Sequence, residues 1–344
     1  MFLGIEIGGT KLQLGVGLGD GTPLRTLQRL DIQRDAGAAG IRRQIEEVAT
    51  GLIASHAVQA IGIGFGGPVD LSTGRTIKSH QIDGWNDFPL GDWCRQTFDL
   101  PTAISNDADA AGLAEARFGA GRGQPVVFYI TVGSGIGGAL VCDGRVYSGG
   151  GGIAAELGHL RPGLQADQPD MTVEAAASGW GIAAAAQGWL SDPDSHFVRP
   201  PSFDYRLRRP ESVRQHLIDR EEAEELFAAD LLTRCQRQIE RLTCKMVAQA
   251  ALEGNGLAQE LFHHAVETLG WAIAQMVTLL SPNVVVIGGG VPLAGDGLFF
   301  APLRQQVARY VFPSLGDSFR IVPAELGEAV VVHGALAAAA GLGS

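Results

Sequence analysis

The sequence is short of cysteine, of aromatic residues and of charge, and it has no long hydrophobic run. Four cysteines, Cys94, Cys142, Cys235 and Cys244, are scattered over 344 residues with no C-x-x-C pair. Neither a disulfide framework nor a zinc knuckle is therefore expected, and a reducing, cytoplasmic setting fits. Charged residues make up only 18% and the net charge is −11. Clustered Lys and Arg are lacking, so nothing marks a nucleic-acid or anionic-membrane partner. No stretch reaches the roughly 20 uninterrupted apolar residues of a membrane span. Met1 is followed at once by a strand-like run that meets Gly8-Gly9, with neither the charged start nor the apolar stretch of a signal peptide.

What the sequence has in excess is glycine, 48 residues, against a background that is 46% hydrophobic. The glycines gather in short runs after apolar stretches (Gly8-Gly9, Gly137-Gly138, Gly149 to Gly152, Gly288 to Gly290), which marks tight turns rather than a fibrous repeat. The length is about twice that of a typical single domain, so two domains sharing a cleft are expected.

Leu3 to Ile7 and Leu12 to Val16 predict two strands joined at Gly8-Gly9-Thr10-Lys11. Ile41, Ile45, Val48, Leu52 and Ile53 recur at helical spacing, and Ala60 to Phe65 predicts a buried strand ending in Gly66-Gly67-Pro68. Thr102 to Ser105 predicts another strand, with Asn106-Asp107 capping a helix over Ala108 to Phe118. A second strand–Gly turn–strand unit follows at Val126 to Val132, Gly133 to Gly138 and Ala139 to Cys142. It echoes Leu3–Val16 and points to two domains built on one plan. Helices are expected over Ala175 to Trp189, Lys245 to Leu280 and Ala335 to Leu342, and a strand over Val284 to Ile287. The order is that of an α/β protein. Gly188 to Thr243, Pro-rich and then dense in Arg and Glu with helical character over Arg237 to Leu242, reads as an inserted surface element.

Gly133 to Gly138 satisfies G-x-G-x-x-G, but a strand follows where a dinucleotide-binding unit needs a helix. A phosphate-cradling hairpin turn, aided by Thr131 and Ser134, is the better reading beside a plain tight turn. Gly8-Gly9-Thr10-Lys11 offers the same device with a lysine to reach phosphate, and Glu6 is placed to hold a metal ion through water. Asn106-Asp107 can be no more than a helix cap, yet phosphoryl transfer to an alcohol needs a rigidly held carboxylate near the phosphates, and Asp107 is the best candidate. Asp109, two residues on, is expected to point away. Glu156 and His159 stand one helical turn apart and Glu174 follows, a set able to grip vicinal hydroxyls. The alternative is a metal held by His159 with Asp167, Asp170 or Glu174, although oxygen partners around one His do not make a zinc site.

With these residues assembled, the chain resembles the ROK family (repressors, open reading frames and kinases), whose enzymes phosphorylate glucose, fructose, mannose or N-acetylated hexosamines. The resemblance covers Phe2 to Ala186 and Lys245 to Leu342. It is most specific at Gly135-Ile-Gly-Gly-Ala139, Gly149 and Ala155-Glu-Leu-Gly-His159. It implies a two-domain, actin-like ATPase (ribonuclease H-like) α/β fold, with a small domain at 1–118 plus 331–344 and a large one at 119–330 that carries the insert near 188–243. It implies ATP and Mg²⁺ as cofactors and a homodimer. Residue by residue, it makes Gly8, Gly9, Thr10 and Lys11 the first phosphate loop, and Thr131, Gly133, Ser134 and Gly135 part of the second. Asp107 becomes the base and, with Gly67, Asn106, Glu156, His159 and Glu174, part of the sugar site. Gly288, Gly289 and Gly290 lie near the nucleotide.

Four departures stand out. The family's cysteine-rich zinc motif is missing, since Leu164 to Val173 holds no cysteine, so a structural zinc is not expected. Glu6 stands where many members have Asp, and Gln81 where Asn is common ahead of Gly84-Trp85. No helix-turn-helix precedes the first strand, so DNA binding is not expected. The expectation is an ATP-dependent hexose or N-acetylhexosamine kinase, closing about hinges near Gly119 to Gly123 and Val330 to Gly334. The rivals are a non-catalytic sugar sensor on the same fold, an actin-like ATPase acting on another protein, and a polyphosphate-dependent glucokinase, whose Asn106 to Gly121 segment looks similar.

Overall fold

The computed structural model describes residues 1–77, 82–163, 170–192 and 216–343. Its first lobe begins with the hairpin β1 (Phe2–Ile7) and β2 (Lys11–Gly17), followed by β3 (Thr26–Asp31), α1 (Gly37–His56) and β4 (Ala60–Phe65). The short pair β5 (Val69–Asp70) and β6 (Arg75–Thr76) leads to α2 (Leu90–Phe98), β7 (Thr102–Asn106) and α3 (Asp107–Phe118). The second lobe opens with β8 (Val126–Val132), β9 (Ile136–Cys142) and β10 (Arg145–Val146), then α4 (Val173–Ala177), α5 (Gly179–Ser191) and α6 (His216–Arg234). It continues through α7 (Cys244–Leu252), α8 (Gly256–Leu280), β11 (Val284–Gly288), α9 (Ala301–Tyr310) and β12 (Arg320–Pro323), and α10 (Val330–Ala340) returns to the first lobe.

The two main sheets share one topology. The first runs β3-β2-β1-β4-β7 and the second β10-β9-β8-β11-β12. In each, the opening hairpin is antiparallel and the last two strands join in parallel. The echo between the two hairpin sequences is therefore the trace of a repeat of whole sheets. Central strands covered on both faces need apolar residues throughout, which is why every residue of β4 and β11 is buried and neither shows polar alternation. β3, an exposed edge strand of sequence TLQRLD, lacks that signal and was not expected from the sequence. Nor was α2, whose buried face is only Leu90, Gly91 and Cys94.

α3 and α10 form the layer between the lobes. Ala110, Ala111 and Ala114 of α3 share an apolar cluster with Val127 and Tyr129 of β8, Val284 and Val286 of β11, and Val330 and Val331 of α10. The approach is backbone to backbone. A Cβ added at Gly334 would stand 1.8 Å from the Ala110 carbonyl oxygen, and one at Gly62 1.8 Å from that of Ala335. Among the described residues the chain crosses between lobes twice, at 119–125 and 324–329.

Three helical expectations need correction. The helix expected over Ala175 to Trp189 is two, because Ser178 is extended and caps α5 by accepting the Gly181 N–H. The pattern over Lys245 to Leu280 is also two helices, broken where Gly254 takes a φ of 96° and Asn255 caps α8. The supposed surface insert is not wholly superficial. Residues 193–215 lie outside the described residues, but Leu231, Cys235 and Leu242 are buried in the second-lobe core, and Asn255 donates to the Phe227 carbonyl at 2.9 Å. Within its Arg237 to Leu242 stretch only Ile239–Arg241 makes a short 3₁₀ turn. Its high charge concealed a helix with one apolar stripe.

Candidate active site

In both sheets the glycine turns and the caps lie at the carboxyl ends of the parallel strands, where α/β sheets place their ligands. In the first lobe the Gly8 N–H donates to the Lys11 carbonyl at 3.0 Å, closing the Gly8-Gly9-Thr10 turn. Lys11 Nζ lies 3.1 Å from Glu6 Oε1 and 3.3 Å from the Glu328 carbonyl. Glu6 is 5% exposed, and its Oε2 has no hydrogen-bond partner. Burial raises its pKa, and Lys11 offsets this only in part.

Asn106 ends β7 and caps α3. Its Oδ1 accepts the N–H groups of Ala108 (2.8 Å) and Asp109 (3.3 Å), and its Nδ2 donates to the Gly67 carbonyl at 3.0 Å. The cap reading holds, and the cap fixes the helix start against the turn after β4. Asp107 then presents its carboxyl beside the first-lobe turns at Gly8 and Gly66. Oδ1 accepts the Ala108 N–H at 2.8 Å, while a Cβ added at Gly66 would lie 3.4 Å from both Asp107 Oδ2 and Gly8 Cα. Burial first, and the nearby Glu6 second, push the Asp107 carboxyl up to about 7. An anion at a helix N-terminus is ordinarily favoured, so here desolvation outweighs the helix end. An acid whose folded pKa is raised destabilises the fold as it ionises, between about 4 and 7 here. Asp107→Asn is expected to raise Tm by a few degrees at pH 8 and to leave it unchanged near pH 3, a difference that thermal melts at the two pH values would check.

In the second lobe the turn is Gly133-Ser134-Gly135, closed by Gly133 N–H to Gly135 carbonyl at 2.9 Å. It is shorter than the motif, because Gly137 and Gly138 pair within β9. They are glycine for packing: a Cβ at Gly138 would stand 2.3 Å from the Ala155 carbonyl. Glu174 Oε2 accepts the Ile136 N–H at 2.7 Å and so holds the turn in place. Gly179 donates to the Gly133 carbonyl at 2.8 Å, which brings the start of α5 against it. Thr131 sits half-buried near the end of β8; Gly288 ends β11 beside it, and Gly289 and Gly290 follow. Gly289 has φ 99°, and a Cβ there would stand 2.4 Å from the Val132 carbonyl, so this turn admits no side chain.

Glu156 and His159 flank a 3₁₀ turn (Leu157–His159), not the α-helical turn expected from the sequence. His159 Nε2 stands 3.9 Å from Glu156 Oε2. Ala155 before them adopts φ 61°, a conformation uncommon outside glycine that aims Glu156 at the cleft. Burial raises the Glu156 pKa, His159 lowers it and Glu174 raises it. A shallow cleft lies here, lined by Pro68, Asn106, Asp109, Ile153 and Glu156 among others.

Asp109 points away from Asp107 as expected, yet it lines the cleft instead of standing in solvent. The cleft lies on the Asp109 side of the first turn of α3, where Asp109 lines it with Glu156, while Asp107 lies toward Glu6. Burial and Glu156 push the Asp109 carboxyl up to about 7 as well. No periodicity signals this, because the covering loop belongs to the other lobe. Among the described residues no three His, Cys, Asp or Glu side chains gather as a metal site, and no helix is long and apolar enough to cross a membrane. Asp167 and Gln81 lie outside the described residues. Burial pushes the Cys94 and Cys244 thiols up to about 11, too high for either to serve as a nucleophile.

Two sheets of one topology, with glycine turns and a capped aspartate at their carboxyl ends, define the two-domain actin-like ATPase fold of the sugar kinases. The comparisons name the family. A model of the ROK family matches residues 2–341, and the chain belongs to that family. Glucokinase from Halalkalibacterium halodurans is 30% identical, with 97% of this chain and 93% of that protein covered. N-acetylmannosamine kinase from Escherichia coli O139:H28 is also 30% identical, over 96% and 98%. The structure of a ROK family glucokinase from Streptomyces griseus in complex with glucose and AMPPNP superposes with a TM-score of 0.76 at 27% identity, covering 98% of each chain. The chain is a ROK sugar kinase.

Proposed function

We propose that this kinase transfers the γ-phosphoryl group of ATP to a hydroxyl of a hexose or N-acetylhexosamine, with Asp107 as general base. The observation that carries this reading is the Asp107 carboxyl: held at the start of α3, without a hydrogen-bond partner at Oδ2 among the described residues, set beside the Gly8 turn and pushed up to about 7, where a base is best matched to neutral pH. The acceptor O–H proton passes to Asp107 Oδ2. The oxygen then forms a bond to the γ-phosphorus, and the bond to the bridging oxygen breaks with its electron pair leaving on ADP.

Gly67, Asn106, Glu156, His159 and Glu174 hold the sugar hydroxyls. Gly8 to Lys11 and Thr131 to Gly135 cradle the phosphates through backbone N–H groups, and Gly288 to Gly290 leave room for the nucleotide. Glu6 suits Mg²⁺ held through water, since its buried, unpartnered Oε2 beside Asp107 is an anionic pair that a cation would relieve. When bound, Mg²⁺ neutralises charge on the transferring phosphates. The lobes, taken as 1–118 with 331–344 and as 119–330, close to bury Glu156 and His159, which are 45% and 67% exposed here.

The test is ADP release with Mg-ATP against glucose, fructose, mannose, N-acetylglucosamine and N-acetylmannosamine, with polyphosphate as a second donor. Turnover with one sugar and ATP is expected. Silence across the panel with nucleotide still bound would favour a sensor, and turnover with polyphosphate alone would overturn the donor. For the active sugar, kcat/KM is expected to fall as pH drops through about 7, because only ionised Asp107 accepts the proton. A flat profile from pH 5 to 8 would remove Asp107 from that role.

A further inference from the structure

Glu115 lies on α3, two helical turns beyond Asp107 and roughly 12 Å along the axis. It is fully buried, and among the acidic residues described only Glu6 has comparably little exposed surface. An unpaired buried charge is costly, so the partners of this one explain its presence. Oε2 accepts the Ala120 N–H at 2.9 Å, and Oε1 accepts the N–H groups of Glu325 (3.0 Å) and Leu326 (2.8 Å). Ala120 lies in the first crossover between the lobes, and Glu325 and Leu326 in the second. One carboxylate thus grips both crossovers. The Glu115 carbonyl adds two further bonds, from the N–H groups of Gly119 (3.1 Å) and Gly121 (3.0 Å). Gly119 must be glycine for this grip, because a Cβ there would stand 2.1 Å from Glu115 Oε2.

We propose that Glu115 is the positioning residue of the interlobe hinge, its buried carboxylate pinning both crossovers to the helix that carries Asp107, so that the lobes close about one fixed point. The proposal rests on the closing-kinase reading above. The chemistry of the group argues for a pin. Three N–H donors converge on one side chain, and only an acceptor-only group satisfies all of them. An amide in its place would turn an NH₂ toward at least one donor. A rotation about Glu115 carries the second glycine turn toward Asp107 along one path, whereas a loosened crossover lets the turn arrive displaced. A displacement of about 1 Å far from the reacting atoms can cost about 10²-fold in rate.

The test combines hydrogen exchange, kinetics and small-angle scattering on the full chain. In the wild type, amides in 119–121 and 324–327 are expected to exchange slowly, and to remain slow when glucose and Mg-AMPPNP compact the molecule. Glu115→Gln is expected to speed their exchange, to lower kcat by about 10²-fold and to reduce the compaction, with little change in the KM for ATP. A merely structural carboxylate would lower Tm and leave kcat per folded molecule intact, and that result would overturn the proposal. So would loss of amide protection on compaction, since the pin would then break during closure. Should Glu115→Gln not fold, Gly119→Ala displaces the carboxylate from Ala120 alone. It is expected to show the same changes more weakly, and an unchanged kcat there would equally overturn the pin. A wild type silent toward every sugar sinks the kinase reading, whereas an active wild type with an equally active Glu115→Gln protein sinks only the pin.

Discussion

Asp107→Asn is expected to lower turnover by about 10²- to 10⁴-fold, the usual contribution of a general base, while the sugar still binds. Asn keeps the shape and can still accept the Ala108 N–H through its amide oxygen, so the start of α3 stays in place. What it loses is the capacity of the open oxygen to take a proton. The groups proposed to hold the sugar, Glu156, His159 and Glu174, are untouched, so affinity for the active sugar measured by calorimetry is expected to change by no more than a few fold. The acidic limb near pH 7 should vanish from any residual activity, because the group that titrates there is gone. The same variant is expected to be more stable at pH 8. Higher Tm with lower turnover is the signature of a site that holds its base in an unfavourable environment, and a variant losing both together would instead mark Asp107 as structural.

Gly334→Ala is expected to be the most damaging single-methyl addition in the described chain, costing about 3 kcal/mol or more. The added Cβ would stand 1.8 Å from the Ala110 carbonyl oxygen and 2.4 Å from its carbon. Both atoms belong to the backbone of α3, so no rotamer change can make room. α10 must lift from α3, opening the cluster of Ala110, Ala111, Ala114, Val330 and Val331 that joins the lobes. Gly51→Ala provides the control. Gly51 lies inside α1 with nothing within 4 Å of an added Cβ, and Ala there should stabilise by about 0.5–1 kcal/mol. Urea unfolding of the two proteins should give shifts of opposite sign. A neutral Gly334→Ala would mean that the α3–α10 contact is looser than its geometry indicates.

The parts of the site that were legible in the sequence share one property, that their chemistry is local. Gly8 to Lys11 and Gly133 to Gly135 read as turns because glycine punctuates strands, and Asn106-Asp107 read as a helix start because a cap acts on N–H groups two and three residues ahead. β3 was missed because an edge strand has no buried face, and α6 because its charge outnumbers its apolar stripe. Asp109 does face away from Asp107, as residues two apart on a helix do, but the loop carrying Glu156 covers that side, so Asp109 lines the cleft instead of standing in solvent.

Glu115 shows the same division. Nothing in NDADAAGLAEARFGAG separates its carboxylate from an ordinary solvated one on a helix, since two of its three donors come from residues more than 200 positions later. The sequence by itself determined the strands, the glycine turns, the capped aspartate and the repeated plan, all of which depend on neighbours in the chain. The tertiary structure decided which carboxylates are buried, which glycines admit no methyl and which oxygen is left open. Burial and close approach arise only when distant segments fold onto one another, and they set the Asp107 pKa.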